Sequence, residues 1–203
     1  MVAVIDYGGG NLGSLIAALQ RRGASFVVTD DHATVEQAES AVLPGDGAFG
    51  ATMSALQERG LDRAIRAHIA AGKAFLGICV GMQILFEQSD EFGSTPGLGL
   101  IEGRVSRFTA AAPRVPHIGW NNLEVVSTHP FVHGLGIEPY AYFLHSYRAP
   151  LCSDTAASCV HGERFTAVVA RENMMGTQFH PEKSQRIGAR LFDNFLRLAG
   201  EVP

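Results

Sequence analysis

The sequence predicts an α/β fold of three layers, with a mainly parallel central sheet and additional antiparallel strands in the C-terminal half. Three observations carry this. In the first half, short and nearly continuous apolar runs alternate with segments of helical periodicity, the pattern of parallel strands covered by helices on both faces. From Gly103 onward the texture shifts to β-branched and aromatic runs punctuated by Pro and Gly, which reads as antiparallel strands. Finally, 203 residues at 46% hydrophobic and 18% charged suit one domain with a sizeable core and are too apolar for a disordered chain.

Val2 to Tyr7 is a short apolar run that ends in Gly8-Gly9-Gly10-Asn11. Leu12, Leu15, Ile16 and Leu19 then recur at helical spacing up to Gly23, giving strand, turn and helix. Ser25 to Val28 is a second strand, Asp30 to Glu39 a connector or short helix, and Ser40 to Leu43 a third strand that stops at Pro44-Gly45-Asp46-Gly47. Helical patterns run from Ala51 to Ala71. Ala74 to Ile78 is a fourth, buried strand that meets Cys79, after which Met82, Leu85 and Phe86 place a helix over Gly81 to Gln88. Later strands are read at Leu123 to Val126, Tyr140 to Leu144, Thr166 to Ala170 and Gly176 to Phe179. Ser184 to Ala199 closes the chain as a helix whose Ile187, Leu191, Phe195 and Leu198 form one apolar stripe.

Lys plus Arg number 16 against 20 for Asp plus Glu, a formal net charge of −4. That balance offers no electrostatic footprint for nucleic acid or anionic lipid. The apolar residues after Met1 lack the basic flank and length of an export signal, and the stretch Ala74 to Met82, broken by Gly77 and Gly81, is far short of the roughly 20 residues that span a bilayer. Cys79, Cys152 and Cys159 are an odd count at spacings that match neither a disulfide framework nor a zinc motif, so a reducing compartment, the cytoplasm, is expected.

Gly8-x-Gly10-x-x-Gly13, followed by Asp30 and Asp31, imitates a dinucleotide site. Asp6 argues against it, because its charge would face the pyrophosphate, and a structural glycine turn is the preferred reading. The chemistry lies elsewhere. Gly77-Ile78-Cys79-Val80-Gly81 places a cysteine where an apolar strand turns into a helix, the cysteine counterpart of a nucleophile elbow. The flanking glycines allow a sharp turn, and the helix start offers the Val80 amide and a favourable dipole to an anion beside the sulfur.

A cysteine nucleophile needs a base, and the base an orienting acceptor. His180-Pro181-Glu182 supplies both, at the end of another expected strand. His161-Gly162-Glu163 has the same spacing, but its glycine and the following Arg164 suggest a solvated hairpin turn. Pro44-Gly45-Asp46-Gly47-Ala48-Phe49 is a glycine-rich turn at a third strand end, whose amides could complete an oxyanion site.

Taken together, these elements resemble the class I (triad) glutamine amidotransferases, and within them the glutaminase subunits of imidazole glycerol phosphate synthases. The resemblance runs the whole length and adds Pro116-His117-x-Gly119-Trp120-Asn121, His145-Ser146-Tyr147 and Gln178-Phe179-His180-Pro181-Glu182-Lys183-Ser184 to the segments above. It implies a flavodoxin-like fold forming a single amidotransferase domain over 1–203. It further implies Cys79 as nucleophile, His180 as acid and base, Glu182 as its orienter, Gln83, Glu91, Ser146 and Tyr147 as holders of the glutamine head group, and Asp46, Gly47 and Val80 as the oxyanion site. Position 46 is more often apolar in the family; Asp46 is harmless there if only its backbone N–H points inward.

The implied reaction splits glutamine into glutamate and ammonia. Ammonia then passes to a (β/α)8-barrel cyclase subunit, the heterodimer partner, which forms imidazole glycerol phosphate and an aminoimidazole carboxamide ribotide. No metal or organic cofactor is implied. Asn11, Pro116, Trp120, Asn121 and Lys183 are expected at the partner interface, on the rim beside the triad. Gly45-Asp46-Gly47 is expected to act as a peptide switch that the partner turns on. A glutaminase of another pathway and a catalytically silent binding protein of the same fold are the competing readings.

Overall fold

The computed structural model describes residues 1–201. In chain order, strands and helices are β1 (Val2–Ile5), α1 (Leu12–Gln20), β2 (Phe26–Thr29), α2 (His32–Gln37), β3 (Ser40–Leu43), α3 (Phe49–Glu58), α4 (Leu61–Ala70), β4 (Ala74–Ile78) and α5 (Val80–Gln83). They continue with β5 (Phe86–Ser89), β6 (Thr95–Pro96), β7 (Ile101–Arg107), β8 (His117–Asn122), β9 (Glu124–Val125), β10 (Tyr140–His145), β11 (Tyr147–Arg148), β12 (Thr155–His161), β13 (Glu163–Arg171), β14 (Met174–Thr177) and α6 (Gln185–Leu198).

The main sheet has eight strands in the order β2-β1-β3-β4-β14-β13-β12-β9. The first five are mutually parallel and the last three antiparallel, so the mixed sheet expected from the two textures of the sequence is present. The strands β1, β3, β4 and β14 are buried along their whole length, which explains why β1 and β4 read as continuous apolar runs. A ribbon of β8 and β10 and a four-stranded sheet β11-β7-β5-β6 complete the β structure. Arg22 Nε donates to Asp193 Oδ1 at 2.8 Å and ties the end of α1 to α6.

The decisive pairing is β4 with β14, which aligns Gly77 with Gly176 and Ile78 with Thr177. The chain therefore leaves both strands side by side, and Cys79 N donates to the Thr177 carbonyl at 2.7 Å. Cys79 and the His180 turn emerge at the same edge as the loop after β3, at the carboxyl ends of the strands where open α/β sheets bind ligands.

Two expectations are corrected. The helix read over Gly81 to Gln88 ends at Gln83, and Phe86–Ser89 is a strand. The spacing of Met82, Leu85 and Phe86 suits either state, and the segment 97–101 decides it: Leu98 N, Leu100 N and Gly97 N take the carbonyls of Ile84, Leu85 and Glu87 that a continuing helix would use. The helical patterns from Ala51 to Ala71 are present as two helices separated at Gly60, whose φ of +68° is the left-handed conformation that glycine adopts freely. Leu198 is 39% exposed, and the buried stripe of α6 runs instead through Ile187, Leu191, Phe192, Phe195 and Leu196.

Candidate active site

Cys79 occupies a strained turn, with φ 54° and ψ −109°, between β4 and α5. Positive φ is costly for any side-chain-bearing residue and persists only where the surroundings enforce it. Here they do. A methyl group on Gly77 would stand 2.2 Å from the Gly81 carbonyl oxygen, and one on Gly81 2.2 Å from the Leu43 carbonyl oxygen. The backbone of the elbow is thus packed against itself and against β3, a close approach that only glycine at 77 and 81 permits. Because α5 is a single turn, it offers first-turn N–H groups, including that of Val80, rather than the macrodipole expected of a longer helix.

His180 is buried, and its Nδ1 lies 2.8 Å from Glu182 Oε1, both side chains being only 4% exposed. The His180 turn is pinned at both backbone groups: its N–H donates to the Tyr142 carbonyl at 3.1 Å, and its carbonyl accepts from Ser184 Oγ at 2.7 Å. Helix α6 abuts the turn so closely that a methyl on Gly188 would lie 1.7 Å from the Pro181 carbonyl oxygen. Burial alone would depress the imidazole pKa. Hydrogen bonding to Cys79 and Glu182, reinforced by their charges, outweighs it and raises the pKa to about 10. The ring therefore rests as an imidazolium at neutral pH, a form able to give a proton to a leaving group.

A cleft of about 290 Å³ gathers Cys79 and His180 with Asp46, Gly47, Val80, Gln83, Glu91, Ser146 and Tyr147. Every residue expected at the oxyanion site or around the head group thus lines one cavity with the sulfur. Glu91 also accepts from Phe49 N at 2.7 Å, which anchors its carboxylate at the start of α3. Asp46 is exposed, so solvent screens its charge. A thiol and an imidazole backed by a carboxylate, with convergent polar groups around one cleft, are the parts that acyl transfer requires.

The five residues expected at a partner interface are not treated alike. Pro116 lines the same cleft as Cys79 and His180. Asn11 is exposed and caps α1, accepting from Ser14 N at 3.4 Å. Trp120 is 48% exposed and meets Tyr142 edge to face at 6.0 Å, while Lys183 follows Glu182 in a 3-10 turn. Asn121 turns inward, its Nδ2 lying 3.2 Å from His117 Nε2 and donating to the Val160 carbonyl at 3.0 Å.

The decoys resolve as structure. Asp6 Oδ1 accepts from Gly8 N at 2.9 Å, Gly8 and Gly10 hold φ of +87° and +95°, and Asp31 caps α2 through Thr34 N at 2.9 Å, so the glycine turn and the downstream acid are both spent on backbone. His161 and Glu163 flank a hairpin turn at Gly162, φ +75°, as read. Sequence reasoning missed Gln178, whose Nε2 lies 3.7 Å from Cys79 Sγ and whose Oε1 accepts from Gln83 Nε2 at 3.0 Å. The available signal was parity: at a strand end, residues 178 and 180 point to the same side.

Comparison with known proteins identifies the family and the fold. Residues 3–198 match the family described as glutamine amidotransferase class-I. A protein of Symbiobacterium thermophilum named imidazole glycerol phosphate synthase subunit HisH is 46% identical over 203 residues, covering 99% of this chain and 95% of that protein. One of the same name from Salinibacter ruber is 45% identical over 206 residues, covering 98% and 94%. A crystal structure of a glutamine amidotransferase superposes with a TM-score of 0.77 at 23% identity over 98% of each chain. The glutaminase domain of Trypanosoma brucei CTPS with bound acivicin superposes at 0.69 and 13% identity, covering 100% of this chain and 94% of that one. At such identities these structures speak for the fold alone. The elbow cysteine, the buried histidine and carboxylate beside it, and a family pattern extending over residues 3–198 lead to one conclusion: the chain belongs to the class I glutamine amidotransferases.

Proposed function

We propose that the chain is the glutaminase subunit of an imidazole glycerol phosphate synthase, working in the cytoplasm as a heterodimer with a (β/α)8-barrel cyclase. The observation that carries the catalytic part is the enclosure of Cys79, His180 and the head-group residues in one cleft, with Glu182 behind the imidazole. Relatives at 44–46% identity named imidazole glycerol phosphate synthase subunit HisH support the assignment to that synthase, and the word subunit supports a partner.

In this reading Cys79 Sγ, as thiolate, adds to the carboxamide carbon of glutamine, and the oxyanion is received by backbone N–H groups of Val80 and the Asp46–Gly47 loop. The His180 imidazolium gives its proton to the amide nitrogen, the C–N bond breaks, and ammonia departs to leave a γ-glutamyl thioester. Neutral His180 then takes a proton from an attacking water, the C–S bond breaks, and glutamate leaves with thiolate and imidazolium restored. Glu182 holds the ring orientation and balances its charge throughout. The sum is glutamine plus water to glutamate plus ammonia, and the ammonia enters the lyase reaction of the partner.

The test is Cys79→Ala in the complex with the cyclase. Glutamine-dependent product should vanish while synthesis from free ammonium persists, since the partner needs only ammonia. A glutamine-analogue electrophile should label Cys79 alone in the parent protein. No labelling, with or without the cyclase, would favour a silent binding protein; labelling with no product would point to a synthase of another pathway.

A further inference from the structure

From His145, which lines the cleft, a buried polar chain that the mechanism above does not use runs back into the protein. His117 and His145 sit opposite each other in the β8–β10 ribbon, 3% and 7% exposed, with the rings of Phe108, Phe143 and Phe165 packed around them. His145 Nδ1 is 2.8 Å from the Tyr147 carbonyl oxygen, His145 Nε2 is 3.0 Å from His117 Nδ1, and His117 Nε2 is 3.2 Å from Asn121 Nδ2.

The hydrogens in this chain can be placed by elimination. A carbonyl only accepts, so His145 Nδ1 carries its proton, and in a neutral ring Nε2 must then accept. His117 Nδ1 is therefore a donor and its Nε2 an acceptor. The amide of Asn121 agrees, because its Oδ1 accepts from Asn122 N at 2.8 Å and its Nδ2 faces the ring. Both histidines are satisfied when neutral and in the Nδ1–H tautomer. An added proton on either would set N–H against N–H, and none of the ring partners is a carboxylate. The titratable groups nearby also oppose charge: His161 stacks on His117 at 4.0 Å, and His180, which lines the same cleft as His145, acts on it. Burial, joined by these neighbours, lowers the pKa of His117 to about 4 and that of His145 to about 3.

The chain ends where it matters. The Tyr147 carbonyl that receives the His145 proton also receives Gln83 Nε2 at 2.9 Å, and Gln83 in turn donates to Gln178, whose amide faces Cys79 Sγ. We propose that His145, held in its Nδ1–H tautomer by His117, is a positioning residue that fixes the Tyr147 peptide and, through it, Gln83 beside the glutamine head group. This rests on the glutaminase reading for its kinetic consequence but not for its tautomers.

The experiment has two arms. Ring ¹⁵N spectra of the full chain should show two neutral Nδ1–H histidines that do not titrate between pH 8 and about pH 5. Nε2–H tautomers, or titration of these rings near the ordinary value of about 6.5, would overturn the proposal. In the complex with the cyclase, His145→Leu should raise KM for glutamine by about 10-fold or more while kcat changes less, since a small misplacement of a binding group costs up to about 100-fold. His145→Gln, whose amide can donate to the Tyr147 carbonyl, should recover most of the loss. His117→Phe keeps a ring in the stack but removes the donor, so it should raise KM as His145→Leu does. Variants that lose thermal stability with KM unchanged would make the chain purely structural and end the proposal. A wild type that turns over no glutamine would instead defeat the glutaminase reading and leave the spectra as they are.

Discussion

Gly77 and Gly81 interlock across the turn that carries Cys79, the α-carbon of the first lying where a methyl would stand 2.2 Å from the carbonyl oxygen of the second. Close packing of backbone on backbone has no flexible side chain to yield, so the strained φ of Cys79 is held from both sides.

Gly81→Ala should consequently destabilise the fold by about 3 kcal/mol, the upper end of the usual cost of overpacking, because its methyl would meet rigid backbone at 2.2 Å. At roughly 2–4 °C per kcal/mol for a chain of this size, thermal unfolding will register it. A variant that melts within a degree of the parent would show that the elbow relaxes more easily than its geometry implies.

The imidazolium of His180 makes stability depend on pH. Its pKa is about 10, against an ordinary 6.5: burial opposes the charge, and the bonds to Cys79 and Glu182 prevail. A raised histidine pKa contributes stability that is fully present below about pH 6.5 and is lost as the pH rises through about 10. Glu182→Gln should therefore cost roughly 2 kcal/mol at pH 6, the size of a charge-assisted hydrogen bond, with the gap to wild type closing toward pH 10. Denaturant titrations at the two pH values check this, and a gap that does not move with pH counts against it. In turnover, Glu182→Gln should be milder than His180→Ala, because it keeps a hydrogen-bonding group beside the ring.

Cys152 and Cys159 lie outside the cleft, and burial pushes the Cys159 thiol up to about 12. Native alkylation should therefore reach Cys159 last. Converting both to Ser should leave glutamine turnover within a few-fold of the parent, while the hydroxyl buried at position 159 costs about 1–3 kcal/mol of stability. A loss of turnover as deep as that of Cys79→Ala would require a different site.

Gly47 has no left-handed φ, and a methyl there would meet nothing closer than Thr52 Oγ1 at 3.8 Å. Gly47→Ala thus fits the resting loop, so an effect on rate would report movement and not damage. The expected result is a fall in partner-stimulated turnover well beyond the fall in basal turnover; loss of an oxyanion donor is worth about 100- to 1,000-fold. Equal falls in both rates would mean a static loop. Gly45→Ala is the contrasting variant, because its methyl would lie 2.8 Å from Gly81 N and disturb the elbow directly.

Trp120 presents half its surface to solvent on a ribbon that also exposes Ile118 and Tyr140. Trp120→Ala should weaken association with the cyclase by about 2 kcal/mol, a common cost of truncating an aromatic anchor, while the isolated chain melts almost as before. Lys183→Ala should weaken coupling or change its salt sensitivity. Titration against the cyclase, with glutamate compared to final product, tests both. Unchanged affinity and a one-to-one ratio would move the interface elsewhere.

What the sequence determined by itself was local. The elbow needs glycines at 77 and 81 because neighbouring backbone fills the space of a side chain. Fully buried strands such as Val2–Ile5 and Ala74–Ile78 must be apolar on both faces, and His180 with Glu182 sits within reach of one short turn. Such requirements are written into a few consecutive residues. Tertiary structure decided whatever depends on distant partners. Insertion of β14 between β4 and β13 brings His180 to Cys79 and places Gln178 against the sulfur. Carbonyls of residues 84, 85 and 87, captured by the segment 97–101, end α5 after one turn. Asn121, which reads as a surface residue, is drawn inward by His117 and the Val160 carbonyl. A hydrogen bond takes the partner that the fold delivers, and sequence spacing does not specify which distant group that will be.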